Sequence, residues 1–403
     1  MASTAVVIVG AGQAAASVAL RLRTNGFTGS ILILGDEGHP PYQRPPLSKK
    51  YLAGTHAADS LYIRPAALWQ EACVELRMDA RVGRIDIAGK SVFVGSERIE
   101  WDRLVLATGS RARPVPEAFE GRSNIFELRS ISDAQRLGPF FAAGRRLVVI
   151  GGGFIGLETA AVARRAGLEV TVIERAPRIL ERAVCPNISA FIRELHQFNG
   201  VRIIEGRGVL EAIGQPAVKE IVLDDGERIA ADLVLIGVGV VAEASLAKEA
   251  GLAIGDGIIV DVRGRTSAPN VWAAGDCTAF PYRGNLIRLE NVQNAIDQAE
   301  VVADDICGRP ASYAPVPWFW SDQYDSKLQI VGLARAYDDA IVRPGERGGI
   351  SSWYFKSDRL VAVAAVDDAR AYMTGRKLLE RGDVTNKARI ADPTTDLRSL
   401  LAA

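Results

Sequence analysis

The sequence predicts an α/β chain built on two units of parallel sheet, followed by a C-terminal α+β domain. Three observations carry that prediction. A strand, glycine turn, helix, strand, acid pattern occurs twice. The chain has 403 residues, which at about 150 per domain corresponds to two or three domains. Beyond Pro315 the pattern changes, with aromatics clustered at Trp318, Phe319, Trp320 and Tyr324 and β-type runs after them.

The first copy opens with Val6-Val7-Ile8-Val9 and turns through Gly10-Ala11-Gly12. A helix follows over 14–24, then a strand over 31–34 and the acid Asp36. The second copy runs Leu147-Val148-Val149-Ile150 into Gly151-Gly152-Gly153. Its helix covers 156–166, its second strand 170–173, and its acid is Glu174. Short β-branched runs of this kind fit strands buried on both faces. Further strands are expected at 104–107, 233–236 and 271–274, and a helix at 291–307. In the C-terminal part, strands are expected at 328–331, 350–355 and 360–366 and a helix at 371–381, with the last dozen residues a loosely held tail.

Bulk properties exclude several classes. Forty-eight basic and 48 acidic side chains give a formal net charge of zero, so no global field points to nucleic acid. The four cysteines, Cys73, Cys185, Cys277 and Cys307, lie thirty or more residues apart, which excludes C-x-x-C and zinc-knuckle spacing. No metal site is expected. No apolar stretch is long enough to span a membrane. The first strand begins at Ala5 with no basic run before it, unlike a signal peptide. A soluble, cytoplasmic protein is expected.

The two turns have the G-x-G-x-x-G/A form. The first glycine makes the tight turn, the second lets the backbone approach a pyrophosphate, and the small third position packs helix on sheet. The helix start then offers free N–H groups to the phosphates. A carboxylate ending the second strand accepts from ribose hydroxyls. One such turn is weak evidence. Two complete copies in the required strand–turn–helix context predict two Rossmann-type dinucleotide-binding domains. Glu174 disfavours a 2′-phosphate and predicts NADH at the second site, while Arg175 beside it makes NADPH the secondary expectation.

Ala107-Thr108-Gly109 and Val271-Trp272-Ala273-Ala274-Gly275-Asp276 resemble motifs of the two-dinucleotide-binding flavoprotein reductases. Arg44-Pro45-Pro46-Leu47-Ser48-Lys49 and Pro317-Trp318-Phe319-Trp320-Ser321-Asp322-Gln323-Tyr324 resemble the putidaredoxin reductase group within them. The likeness covers nearly the whole chain, in order. It implies an FAD domain over 1–112 and 240–316, an NAD domain over 113–239 and a C-terminal domain over 317–403.

The resemblance also implies site residues. Gly10, Gly12 and Ala14 would line the FAD pyrophosphate, with Asp36 on the adenosine ribose and Asp276 on the ribityl chain. Arg44, Val82, Thr108, Gly109, Arg129 and Val292 match further FAD-contact positions, the helix at Val292 directing its positive end at the flavin. Lys49 would sit near the flavin N5 with Glu158 as its carboxylate partner. Trp318 or Trp320 would lie near the isoalloxazine. Gly151, Gly153, Ile155, Gly156, Glu158, Glu174, Gly239 and Glu290 are the candidate nicotinamide-nucleotide contacts.

The implied activity is FAD-dependent NADH:ferredoxin reduction. A hydride passes from NADH to the flavin N5, then single electrons pass to a 2Fe–2S ferredoxin serving a haem-thiolate monooxygenase or ring-hydroxylating dioxygenase. Such ferredoxins are acidic and bind transiently, and Arg64 is one candidate contact. Rival readings are a disulfide reductase, a flavin NADH oxidase and a redox-sensing NADH-binding flavoprotein with slow turnover. Disulfide reductases need a cysteine pair after the first acid, and residues 36–55 contain none.

Overall fold

The computed structural model describes residues 5–335, 337–345, 348–382 and 386–401. The chain divides into two compact units. The first comprises Met1–Arg44, Ala57–Arg111 and Val240–Pro315, and the second Pro45–His56, Ala112–Gly239 and Val316–Ala403.

In the first unit, Ala5–Val9 is the central strand of a five-stranded parallel sheet. Ser30–Leu34 and then Val74–Arg77 lie on one side of it, Arg103–Leu106 and then Val271–Ala273 on the other. Helix Gln13–Thr24 connects the first two strands, and helix Val292–Ile306 packs beside it. Both strand faces are covered: Val6 and Ile8 on one face and Val7 and Val9 on the other are all buried, which is what the β-branched run requires. Arg21 on one helix holds Asp304 on the other through two bonds of 2.8 and 3.0 Å.

The second unit repeats this arrangement. Arg146–Ile150 is central, with Glu169–Glu174 and Arg202–Glu205 on one side and Leu233–Ile236 and Ile125–Phe126 on the other, all parallel. Helix Phe154–Arg165 is the connection. The two expected copies are therefore the same local machine twice. Their helices begin one and two residues earlier than expected, at Gln13 and Phe154, because Gly12 and Gly153 occupy the caps.

The C-terminal residues form an antiparallel sheet in the order Trp318–Gln323, Ser326–Gly332, Arg359–Val366, Ile350–Lys356, Asp339–Pro344. Helix Ala369–Arg381 packs on it, burying Trp353, Phe355, Val363 and Leu378. This is the expected α+β domain, and Trp318, Phe319 and Trp320 of the aromatic cluster lie on its first strand, with Tyr324 in the turn that follows.

The expectation of a loose tail is corrected. Leu397 and Leu400 are buried in the same core as Trp353. Arg343, itself buried, donates to the carbonyls of Ile390, Asp392, Pro393 and Thr395 at 2.5–3.1 Å. One guanidinium thus satisfies a turn that has no ladder of its own. Arg343→Ala is expected to free the tail. Limited proteolysis with mass readout should then cut beyond residue 386 much faster, at a cost of about 2 kcal/mol in stability. An unchanged digestion pattern would contradict this clamp.

Candidate dinucleotide and redox site

Each glycine turn is dictated by the strand beside it. Gly10 adopts φ +104°, and a Cβ there would stand 2.2 Å from the carbonyl oxygen of Ala107, just past the neighbouring strand. Gly151 adopts φ +107°, and its Cβ would stand 2.5 Å from the carbonyl oxygen of Gly237, the equivalent place in the second unit. No other residue type fits either position. At Gly12 and Gly153, by contrast, a Cβ would meet no protein atom within 4 Å. Both residues cap helices without any side-chain hydrogen bond, so no cap side chain occupies the first amides. The third position differs between copies. Gly156 would place a Cβ 2.4 Å from the Gly151 carbonyl oxygen, whereas the first copy accommodates the fully buried Ala15.

The acids also differ. Asp36 is exposed, and its carboxylate has no hydrogen-bond partner among the described residues. Glu174 accepts from the amides of Gly152 and Ala176, both at 2.7 Å. That pins the second acid to its own glycine turn. Arg175 is exposed beside it.

Several of the remaining first-unit candidates are tied down by hydrogen bonds or ion pairs. Ser110 Oγ donates to Asp276 Oδ2 at 2.8 Å, and Thr108 Oγ1 donates to the Glu243 carbonyl at 2.5 Å. Arg44 is held by Tyr42 and Glu37. Burial alone would lower its guanidinium, but Tyr42, Glu37 and Asp276 together raise it, so the cation is secure. Ala14 and Val82 are buried, and Val292 is the first residue of its helix, capped by the Asn291 side chain on the Asn294 amide. Glu290 pairs with Arg288. One orphan stands out. Gln298 is buried, and its Oε1 accepts from Gly275 and Thr278, yet its Nε2 has no partner. Open amides at a capless helix start, an orphaned buried donor and an unpaired carboxylate after the second strand fit a bound dinucleotide with a pyrophosphate and a ribose.

In the second unit, Pro45–Ser48 forms a 3₁₀ turn that presents Lys49. Lys49 Nζ donates to Glu158 Oε2 at 2.7 Å, and Ser48 Oγ donates to the same oxygen at 2.5 Å. Glu158 lies one turn into helix Phe154–Arg165 with 4% of its surface exposed, far from the exposed helix-start acid its position suggests. Ile155 in the same turn is 37% exposed, unusual for isoleucine in a core helix. Arg113 N donates to the Gly239 carbonyl, and the Arg129 amide donates to Asp133. Trp318 packs against the C-terminal core, while Trp320, its ring 5.5 Å away, does not belong to that core.

Sequence reasoning missed three residues here. Ser321, Gln323 and His196 are buried and continue the polar cluster from Glu158. Burial pushes the His196 imidazole down to about 4. Its folded value lies below the ordinary 6.5, so the stability it supports is complete above pH 6.5 and is lost as pH falls toward 4. The amount is about 3 kcal/mol. His196→Leu is expected to lose less stability than the parent between pH 6.5 and 4.5 in thermal melts, and an equally steep acid limb would refute this.

Residues 4–299 match the family model for pyridine nucleotide-disulphide oxidoreductases, and residues 318–401 match the reductase C-terminal model. The chain belongs to the pyridine nucleotide-disulphide oxidoreductase family. Rhodocoxin reductase of Rhodococcus erythropolis is 40% identical over 404 residues, covering 98% of this chain and 94% of that one. Among solved structures, the covalent putidaredoxin reductase–putidaredoxin complex aligns with a TM-score of 0.96 at 37% identity, over 100% of this chain and 99% of that chain. The ferredoxin reductase for the CYP199A2 system from Rhodopseudomonas palustris aligns at 0.95 and 40% identity over all of both chains.

Residues 36–55 of this member of the pyridine nucleotide-disulphide oxidoreductase family contain no cysteine. Cys73 is exposed on a left-handed turn residue, and Cys185 and Cys277 are buried. Burial pushes the Cys277 thiol up, although Gly109 and Thr108 partly oppose this, so it is no thiolate nucleophile. Among the described residues no group of acids, histidines and cysteines could hold a metal, and no helix is long and apolar enough to cross a membrane.

Proposed function

We propose that the protein is a cytoplasmic FAD-dependent NADH:ferredoxin oxidoreductase. It takes electrons from NADH and delivers them singly to an acidic 2Fe–2S ferredoxin of a haem-thiolate monooxygenase or ring-hydroxylating dioxygenase system. The observation that carries the reading is the full-length match to reductases of such small carriers, with both glycine turns and the C-terminal domain in place.

The chemistry that FAD supplies when bound is acceptance of a hydride at N5 and release of two electrons one at a time. The chain supplies the rest. We assign 1–112 and 240–316 to FAD, 113–239 to NADH and 317–403 to the C-terminal domain. Gly10, Gly12 and Ala14 admit the FAD pyrophosphate, Asp36 takes the adenosine ribose, and Asp276 takes the ribityl chain. Gly151, Gly153, Ile155, Gly156, Glu174, Gly239 and Glu290 serve the nicotinamide nucleotide. Arg44, Val82, Thr108, Gly109, Arg129 and Val292 complete the FAD set. Trp320 is the aromatic assigned to the isoalloxazine, since Trp318 is committed to the C-terminal core. Lys49, fixed by Glu158, places a positive charge for the N5 side. Arg64, exposed, is one contact for an acidic partner.

Steady-state turnover with a panel of 2Fe–2S ferredoxins, run with NADH and NADPH in parallel, tests the reading. Rapid NADH-dependent reduction of at least one ferredoxin, weakening as salt rises, is expected. Flavin reduction by NADH with no transfer to any ferredoxin would favour the slow redox-sensing reading instead. Replacing all four cysteines is expected to leave the rate unchanged, and a large loss would restore the thiol-dependent alternative.

A further inference from the structure

The Lys49–Glu158 pair accounts for one oxygen of the Glu158 carboxylate. The other oxygen is the end of a longer buried chain. Ser321 Oγ donates to Glu158 Oε1 at 2.6 Å. Gln323 Nε2 donates to Ser321 Oγ at 3.1 Å. His196 Nε2 lies 2.8 Å from Gln323 Oε1, and Tyr324 OH lies 3.4 Å from His196 Nδ1. Ser321 and Gln323 alternate with Asp322 on strand Trp318–Gln323 and therefore share one face. His196 comes from helix Pro186–Phe198. Ser321, Gln323 and His196 are each at most 1% exposed.

The direction of every bond follows from the carboxylate. The Glu158 carboxylate, ion-paired with Lys49, can only accept. Ser321 must spend its single proton on Glu158, so its oxygen accepts from the Gln323 amide group. The Gln323 carbonyl then faces His196, which must carry its proton on Nε2. Nδ1 is left as the acceptor for Tyr324. No link can be reversed without creating a clash of donors or of acceptors. Burying such a chain costs more than an apolar filling unless something requires the charge at its end.

We propose that Ser321, Gln323 and His196 are positioning residues that clamp the free oxygen of Glu158, and so fix Lys49 for hydride transfer from NADH. The proposal rests on the reading of Lys49 and Glu158 given above. With Oε1 clamped, the carboxylate cannot rotate away from Ser48 and Lys49. The clamp joins the C-terminal strand and a helix of the NADH-binding part to one catalytic charge.

The test uses the FAD-loaded enzyme. Ser321→Ala is expected to slow the limiting rate of flavin reduction by NADH about tenfold, the size of one hydrogen bond to a charge. The NADH Kd should stay the same, and the flavin midpoint potential should shift. Ser321→Thr, which keeps the hydroxyl and suits a strand, should restore both. Gln323→Met, unbranched and of similar length, should change rate and potential in the same direction. In an E158Q background, S321A should add nothing further. Nitrogen-15 spectra of the histidine rings, tractable with only three histidines, should show the His196 proton on Nε2.

Normal rate and potential in S321A, with K49M and E158Q both slowed, would overturn the positioning role and leave the role of the pair standing. Parent-like rates in K49M and E158Q would overturn the underlying reading instead. A Ser321→Thr variant as slow as S321A would reduce the effect to packing. A His196 proton on Nδ1 would reverse the chain and overturn the proposal.

Discussion

Gly10→Ala is expected to purify without flavin and with a weakened first unit, whereas Gly12→Ala is expected to fold normally and still lose flavin. The two glycines sit two residues apart but answer to different neighbours. At position 10 the backbone is left-handed, φ +104°, and a methyl group would overlap the Ala107 carbonyl at 2.2 Å. The strained conformation alone costs about 1–3 kcal/mol in a non-glycine residue. The overlap must then push the turn off strand Arg103–Leu106, which destroys the fit of the whole phosphate cradle. At position 12 a methyl group would touch no protein atom. Its only victim is whatever approaches the open amides of helix Gln13–Thr24. The flavin-to-protein absorbance ratio after purification, read beside the melting temperature of each apoprotein, separates the two effects. A Gly12→Ala protein that keeps full flavin would show that the pyrophosphate lies elsewhere.

Lys49→Met is expected to destabilise the second unit strongly, and adding Glu158→Gln should recover much of the loss. Glu158 is nearly fully buried, and Lys49 is its one cationic partner among the described residues. Removing the lysine leaves a buried carboxylate with only two hydroxyl donors, Ser48 and Ser321. Breaking a buried pair from one side costs about 3–5 kcal/mol. Neutralising the survivor removes the reason for the cost, so the double variant should be more stable than K49M alone. Chemical denaturation of the four members of the cycle measures the coupling. Hydride transfer should be slow in all three variants, because the charge at position 49 or its orientation is lost in each. A double variant less stable than K49M would mean that the pair is held by packing rather than by charge.

How much of this could be read from residues alone depends on how local the cause is. The two glycine turns were legible because the strand, the turn and the acid lie close together in sequence, and the steric need at Gly10 and Gly151 is met by one residue type only. The strand at Leu233–Ile236 was legible from four consecutive apolar residues. The tail was misread because its polar run, Asp392-Pro393-Thr394-Thr395, carries no sign of Arg343, which lies some fifty positions earlier and supplies its hydrogen bonds. Ser321 and Gln323 belong to the Pro-Trp-Phe-Trp-Ser-Asp-Gln-Tyr stretch, but nothing in Trp-Ser-Asp-Gln states that alternate members turn toward a buried glutamate 163 positions earlier. His196 carried no signal, since one histidine near a helix end looks like any other.

The sequence by itself determined the repeated dinucleotide-binding architecture, the absence of a redox thiol after the first acid, and the pairing of Lys49 with Glu158 as an expectation. The first two follow from short-range sterics, from composition and from motif spacing, whereas the Lys49–Glu158 pairing was implied by the family resemblance alone. Only the tertiary structure decided that Glu158 is buried rather than a surface helix acid, that Glu174 is tied to its own turn, and that one oxygen of Glu158 is clamped through Ser321 and Gln323 to His196. Those depend on which side chains fill the remaining hydrogen-bonding capacity of a buried charge, and that is fixed by residues far apart in sequence that only folding brings within 3 Å.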